Sequence, residues 1–170
     1  MPQQGAQTPI ETTSAPVEPL ERVLETHPFT RGLSLTHLRL IAACARTRSV
    51  ADGHYLWRQG DRNVEAHLVL EGEIALEITV PHEGKLTFET VSAGDIAGCT
   101  GLFHSARWGF DGRAVTAVRA VVLNSRTLRA AIECDHELGY QLLERCANSL
   151  GKRLNGNRVK LVEAHSAALP

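Results

Sequence analysis

With 170 residues, 43% of them hydrophobic, the chain holds enough material for one domain with a real core and too little for two. Its 18 Lys and Arg nearly balance 19 Asp and Glu, so the charge carries no footprint of a nucleic-acid binder. No apolar run approaches the roughly 18–20 residues that a membrane-spanning helix requires.

Residues 1–18 are rich in Pro, Gln, Thr and Ser and lack both the basic start and the apolar segment of a secretory signal. They are expected to form a disordered tail, because such a composition buries too little surface to offset its ordering. Without an export signal the chain is expected to be cytoplasmic, with Cys44, Cys99, Cys134 and Cys146 as reduced thiols. None of the four stands in a CxxC pair, so no metal or cluster site is expected. LERVLETHPF, residues 20–29, predicts a short helix ended at Pro28. Ser34 then reads as an N-cap, and Leu35, Leu38, Ile41, Ala42 and Ala45 recur at helical spacing. That pattern predicts an amphipathic helix over 35–47.

From Val50 to Leu123 the pattern changes to short β-type runs: HYLWRQ, HLVL, EIALEITV, LTFETV, RAVTAV and AVVLN. Short strands with Gly and Asp punctuation predict an all-β sandwich or barrel. Gly53, Gly60, Gly72 and Gly94 mark its corners, where the backbone often needs positive φ. His54, His67, His82 and His104 are scattered through this region without the His-x-His of a metal-binding jelly roll. Helices return as SRTLRAAIEC, residues 125–134, and as a longer pattern over 136–163. Within the latter, Leu143, Ala147, Leu150, Leu154, Asn157 and Leu161 fall at intervals of 4, 3, 4, 3 and 4. This is a heptad seam in which a buried Asn can fix register, and it predicts pairing with a second copy or with a separate protein; the alternative is a helix packed only on its own β-domain, which Gly151 and Gly156 favour by weakening a free-standing helix. The expected organisation is a tail over 1–18, a β-roll with N-terminal helices over 19–135, and a helix over 136–164.

LWRQGD, LVLEGEIAL and AGDIAG followed by TGLF, with Gly53, Gly60-Asp61, Gly72 and Gly94-Asp95 in order, resemble the cyclic nucleotide-binding domain family of the catabolite activator protein type. The resemblance covers residues 20 to about 160. It implies a mainly β fold, an eight-stranded jelly roll (double-stranded β-helix) with flanking helices and a long C-terminal helix. It also implies a non-enzymatic regulatory role in which cyclic AMP or cyclic GMP occupies a phosphate-binding cassette. In that cassette a Gly-Glu pair, a small-apolar stretch and an Arg-Ser/Thr-Ala run receive the nucleotide, the Glu at the ribose hydroxyl and the Arg at the phosphate.

Gly98 matches the glycine, but Cys99 stands at the glutamate position; Thr100, Gly101 and Leu102 keep the small-apolar pattern. Counted back from RAVTAV, the arginine position falls on Trp108, followed by Gly109 and Phe110, with Arg107 one residue away. A one-residue slip in a strand turns a side chain to the other face unless a bulge restores it. Losing the glutamate contact alone weakens binding by about 10- to 100-fold, and losing the phosphate partner costs about 2–5 kcal/mol more. Together they take a micromolar ligand to millimolar or worse. Trp108 either stacks on a planar ligand or fills the vacated pocket. Asp111 adds a negative charge nearby, and Arg113 is expected to pair with it. The candidate ligand set is Gly98, Cys99, Thr100, Gly101, Leu102, Arg107, Trp108 and Gly109.

Family transcription factors place a helix-turn-helix after the long helix. Only about ten residues follow here, so a stand-alone domain without direct DNA contact is expected. Three readings follow: a sensor of a cyclic nucleotide or related anion; a ligand-free interaction module acting through the C-terminal helix; and a redox sensor through Cys99, whose pKa a helix N-terminus lowers. No cofactor is expected.

Overall fold

The computed structural model describes residues 19–104 and 106–167. The expected tail over 1–18 lies outside the described residues. The first helix, α1 (Leu20–Thr26), ends just before Pro28, and the buried His27 ring nitrogen Nε2 lies 3.1 Å from the Val69 carbonyl. Helix α2 (Leu35–Ala43) begins at Ser34, whose hydroxyl accepts from the His37 N–H at 3.1 Å.

Helix α2 stops four residues short of its expected end. Residues 45–50 read ARTRSV, and they form strand β1 (Ala45–Val50) rather than a last helical turn. The helical spacing of Ala45 was local; the Thr, Ser and Val that follow favour an extended chain, and pairing with a valine-rich strand decides it.

Nine further strands follow: β2 (Tyr55–Trp57), β3 (Arg62–Asn63), β4 (Glu65–Glu71), β5 (Glu73–Val80), β6 (Gly84–Ser92), β7 (Ile96–Ala97), β8 (Ala106–Arg107), β9 (Asp111–Ala114) and β10 (Val118–Asn124). They make two antiparallel four-stranded sheets, ordered β1-β10-β4-β7 and β2-β9-β5-β6, with β3-β8 as a separate ribbon. The two sheets form a jelly-roll-like sandwich. The run RAVTAV is divided between β9 and β10, and Gly72 closes the β4–β5 corner at φ 82°. A Cβ at Gly72 would lie 2.2 Å from the Ala117 carbonyl oxygen, so only glycine fits there.

Strand β4 is buried on both faces. Ala66 and Leu68 join Leu24, Ile41, Leu123, Leu128 and Leu138 in the layer between sheet and helices. Val69 turns the other way, into the roll, with Trp57, Ile74, Leu76, Val91 and Trp108. The alternation is the two-residue period of a strand, and it ties both cores to one segment.

The chain leaves the roll without slack. Asn124 ends β10 and caps α3 (Ser125–Cys134), accepting from the N–H groups of Arg126 and Thr127 at 3.0 and 3.1 Å. Asp135 alone separates α3 from α4 (His136–Ala167). Its carboxylate accepts from the Leu138 N–H at 3.0 Å and lies 3.3 Å from His37 Nε2. Helix α4 has 32 residues. Leu138, Leu142 and Cys146 anchor it in the core; beyond Cys146 the side chains whose burial is described are exposed or half-buried.

Candidate functional site

The turn after β7 carries the site. Gly98 holds φ 80°, and a single 3-10 turn, Cys99–Leu102, follows it. A Cβ at Gly98 would sit 2.6 Å from Trp108 Cη2 and 2.7 Å from the Glu65 carbonyl, so the left-handed backbone and the close packing both demand glycine. Gly101 is equally confined, since its Cβ would fall 2.4 Å from the Asn63 side-chain oxygen. Arg129 on α3 donates to the carbonyls of Gly101 (2.9 Å) and Leu102 (3.3 Å), fixing the end of the turn from behind.

Trp108 is 6% exposed and stacks on Trp57 with ring centroids 4.0 Å apart and planes 13° from parallel. Phe110 meets it edge-on at 5.8 Å. Gly112 makes room for this stack: a Cβ there would lie 2.3 Å from the Trp57 ring. Offset stacking of this kind adds about 0.5–1.5 kcal/mol beyond the area buried. Trp108 is therefore packed into the core of the roll. His67 lies beneath, buried, 5.1 Å from the Trp57 ring centroid, with neither ring nitrogen hydrogen-bonded. Burial lowers its pKa to about 3, helped by the charges of Arg48 and Arg46.

Arg107 is exposed and donates to the Gly60 carbonyl at 2.6 Å. Asp111 does not stand as a free negative charge near the site. Its carboxylate accepts from Lys85 Nζ (2.6 Å), the Gln59 N–H (2.8 Å) and Arg58 Nε (3.1 Å). Burial pushes that carboxyl up, but these three donors together hold it below the ordinary range. Arg113 pairs with Glu77 at 2.6 and 2.8 Å, not with Asp111. The two carboxylates stand directly opposite each other on paired strands, and the register Glu77↔Asp111, Ala75↔Arg113 sets the arginine diagonally across from Glu77.

Cys99 is 1% exposed and faces Cys146 of α4, 3% exposed. The neighbouring Cys146 thiol lowers the Cys99 pKa against the opposing effect of burial, and the nearby charge of Arg153 assists. The Cys146 thiol is correspondingly pushed up. All four cysteines are free thiols.

Gly98, Cys99, Thr100, Arg107, Trp108 and Gly109 line one cavity of about 370 Å³. Gly101 and Leu102 lie buried behind it, Leu102 against the helical layer. The opposite wall is α4, through Leu150, Arg153 and Leu154, with Asn63, Leu76, Glu89 and Phe110 completing the lining. Arg153 Nε lies 3.1 Å from Glu89 Oε1, its Nη2 donates to the Ile96 carbonyl, and Asn157 Nδ2 donates to Glu89 Oε2 at 3.3 Å. Of the heptad seam, Leu143, Ala147, Leu150, Leu154 and Leu161 are exposed, while Asn157 is half-buried and engaged with Glu89 of its own chain.

Sequence reading did not single out Asn63, Glu89, Arg153 or Cys146. An arginine on a long amphipathic helix looks like any solvated charge, and nothing local signals that this one turns inward. Among the described residues no group of three or more His, Cys, Asp or Glu could hold a metal ion, and no helix is long and apolar enough to cross a membrane.

The family model of the cyclic nucleotide-binding domain matches residues 47–135. Among solved structures, a cyclic nucleotide-binding domain from Methylobacillus flagellatus is 19% identical with a TM-score of 0.72, the match covering 85% of this chain and 82% of that one. A putative cyclic nucleotide-binding protein from Geobacter metallireducens is 25% identical with a TM-score of 0.71, over 81% of this chain and 99% of that one. The regulatory domain of Toxoplasma gondii PKA, solved with cAMP, is 22% identical with a TM-score of 0.57, over 65% of this chain and 42% of that one. No curated protein sequence matches the chain.

Proposed function

Since the chain belongs to the cyclic nucleotide-binding domain family, a non-enzymatic regulatory fold, we propose that it senses a cyclic nucleotide or a related small anion in the cavity between its cassette and α4. One observation carries this reading: the cavity has the cassette as one wall and α4 as the other. A ligand seated there touches the helix, and a ligand that favours one helix position over another shifts the population between them. Its volume, about 370 Å³, lies within the range of small-molecule sites. The output surface is the exposed apolar stripe of α4, Leu143, Ala147, Leu150, Leu154 and Leu161, which pairs with a second copy of the chain.

Isothermal titration with cyclic AMP and cyclic GMP to millimolar concentration tests the ligand, and sedimentation with and without nucleotide tests the output. Binding with a change in association state supports the sensor; no heat from either nucleotide sinks it. The burial of Trp108 favours a second reading, a ligand-free interaction module in which this ring closes the pocket. Nucleotide binding gained only in Trp108→Ala would select that reading.

A further inference from the structure

Two of the free thiols stand side by side where the cassette turn meets α4. Cys99 opens the 3-10 turn after β7, and Cys146 is the last buried residue of α4; both belong to the layer between sheet and helices. The helix sets this approach. Cys146, Leu150 and Arg153 lie at i, i+4 and i+7, so they share one face of α4. Leu150 and Arg153 line the cavity together with Cys99, and Cys146, one turn earlier, continues that wall into the core. The cavity, about 370 Å³, gives a small oxidant a path toward the Cys99 sulfur. The two thiols are unequal. Cys146 and the charge of Arg153 hold the Cys99 thiol below its ordinary range, whereas Cys99 and burial push the Cys146 thiol up. The thiolate is the nucleophile, so Cys99 is the sulfur that attacks and Cys146 the one that resolves.

We infer that Cys99 and Cys146 form a reversible disulfide, made in response to a hydroperoxide, that ties the cassette turn to α4. The Cys99 thiolate attacks the hydroperoxide. The O–O bond breaks, an S–O bond forms, and the departing oxygen takes up a proton and leaves as an alcohol or as water. The Cys146 sulfur then attacks the Cys99 sulfenic acid. The S–O bond breaks, the S–S bond forms, and water leaves with the Cys146 proton. The two sulfurs together give up two electrons and the hydroperoxide receives them. An added dithiol returns both thiols by exchange. The bond requires no ligand in the cavity, so it stands apart from the nucleotide reading. Oxidation adds a covalent anchor at the point where the buried section of α4 ends.

The test is peptide mapping of the 170-residue chain, reduced, freed of reductant and treated with hydrogen peroxide. Remaining thiols are alkylated in denaturant before digestion. Trypsin places the four cysteines on separate peptides, with Cys99 in 86–107 and Cys146 in 146–152. The expected product is these two peptides joined within one chain and released by dithiothreitol. Cys146→Ala should abolish the link and leave Cys99 as a sulfenic acid that dimedone traps, whereas Cys134→Ala should leave the link unchanged. Amide exchange around Cys146 should slow on oxidation of the wild type. The wild-type map decides the matter even where a core variant fails to fold. Three results overturn the inference: Cys99 joined to Cys44, Cys134 or a second chain; no link while the exposed Cys134 is fully oxidised; or a link that forms only when peroxide is added in denaturant. Equal amide exchange in α4 before and after oxidation removes the coupling to the helix.

Discussion

The two walls of the cavity are built from different kinds of interaction. The roll wall rests on the Trp57–Trp108 stack, on Phe110, and on the Asp111 carboxylate with its three donors. The helix wall lies beyond the last buried residue of α4 and is held to the roll by Arg153, Asn157 and Glu89. Close-packed aromatic contacts resist displacement, whereas a few exchangeable polar contacts give way to a competitor. One wall is held by close packing and the other by polar contacts.

Substitutions along α4 test this contrast most sharply. Leu142→Ala, in the anchored section, should cost about 2–5 kcal/mol in chemical denaturation, because it leaves a cavity in the helical layer. An equally sized change at Leu154, 53% exposed, should stay within about 0.5 kcal/mol for the protomer. Equal costs at the two positions would mean that the whole helix is anchored alike. On the roll wall, Gly98→Ala should cost about 1–3 kcal/mol, since it combines a left-handed backbone with a clash against Trp108.

The roll wall should also be the acid-sensitive one. His67 is neutral in the fold, with its pKa lowered from 6.5 to about 3. Between those values the unfolded chain binds a proton that the fold refuses. Its contribution is therefore fully retained above pH 6.5 and lost on acidification, by about 1.4 kcal/mol per pH unit. His67→Met should flatten the acid limb of a stability–pH curve; an unchanged slope would place the proton uptake elsewhere. The smallest effect should be on the helix wall. Glu89→Gln should change stability little yet raise amide exchange in α4 beyond Cys146 and speed alkylation of Cys99, 1% exposed beneath it. Peptide mapping separates Cys99 from the exposed Cys134.

Much of this was legible in the sequence where local pattern and tertiary need agree. EIALEITV is β5 from end to end, and SRTLRAAIEC is α3. The cassette glycine was visible because Gly98 matches the family pattern, and the positive φ beside the Trp108 ring is the physical reason that glycine stands there. Strand β1 was not, since ARTRSV follows a helical pattern without a break and only its partner β10 makes it extended. The Arg153–Glu89 pair was out of reach for a different reason. Its members are far apart in sequence, and side-chain direction on α4 is fixed by how its buried section docks. The same holds for Cys99 and Cys146, brought together by the core.

The anchoring of α4 at one end has a mechanical consequence. If Cys146, its last buried residue, is the fulcrum, Arg153 stands about 10 Å along the arm and Ala167 about 32 Å, at 1.5 Å per residue. A swing that carries Arg153 by about 1 Å then carries the far end by about 3 Å. Such a helix is a lever that trades force near the pivot for reach at its tip.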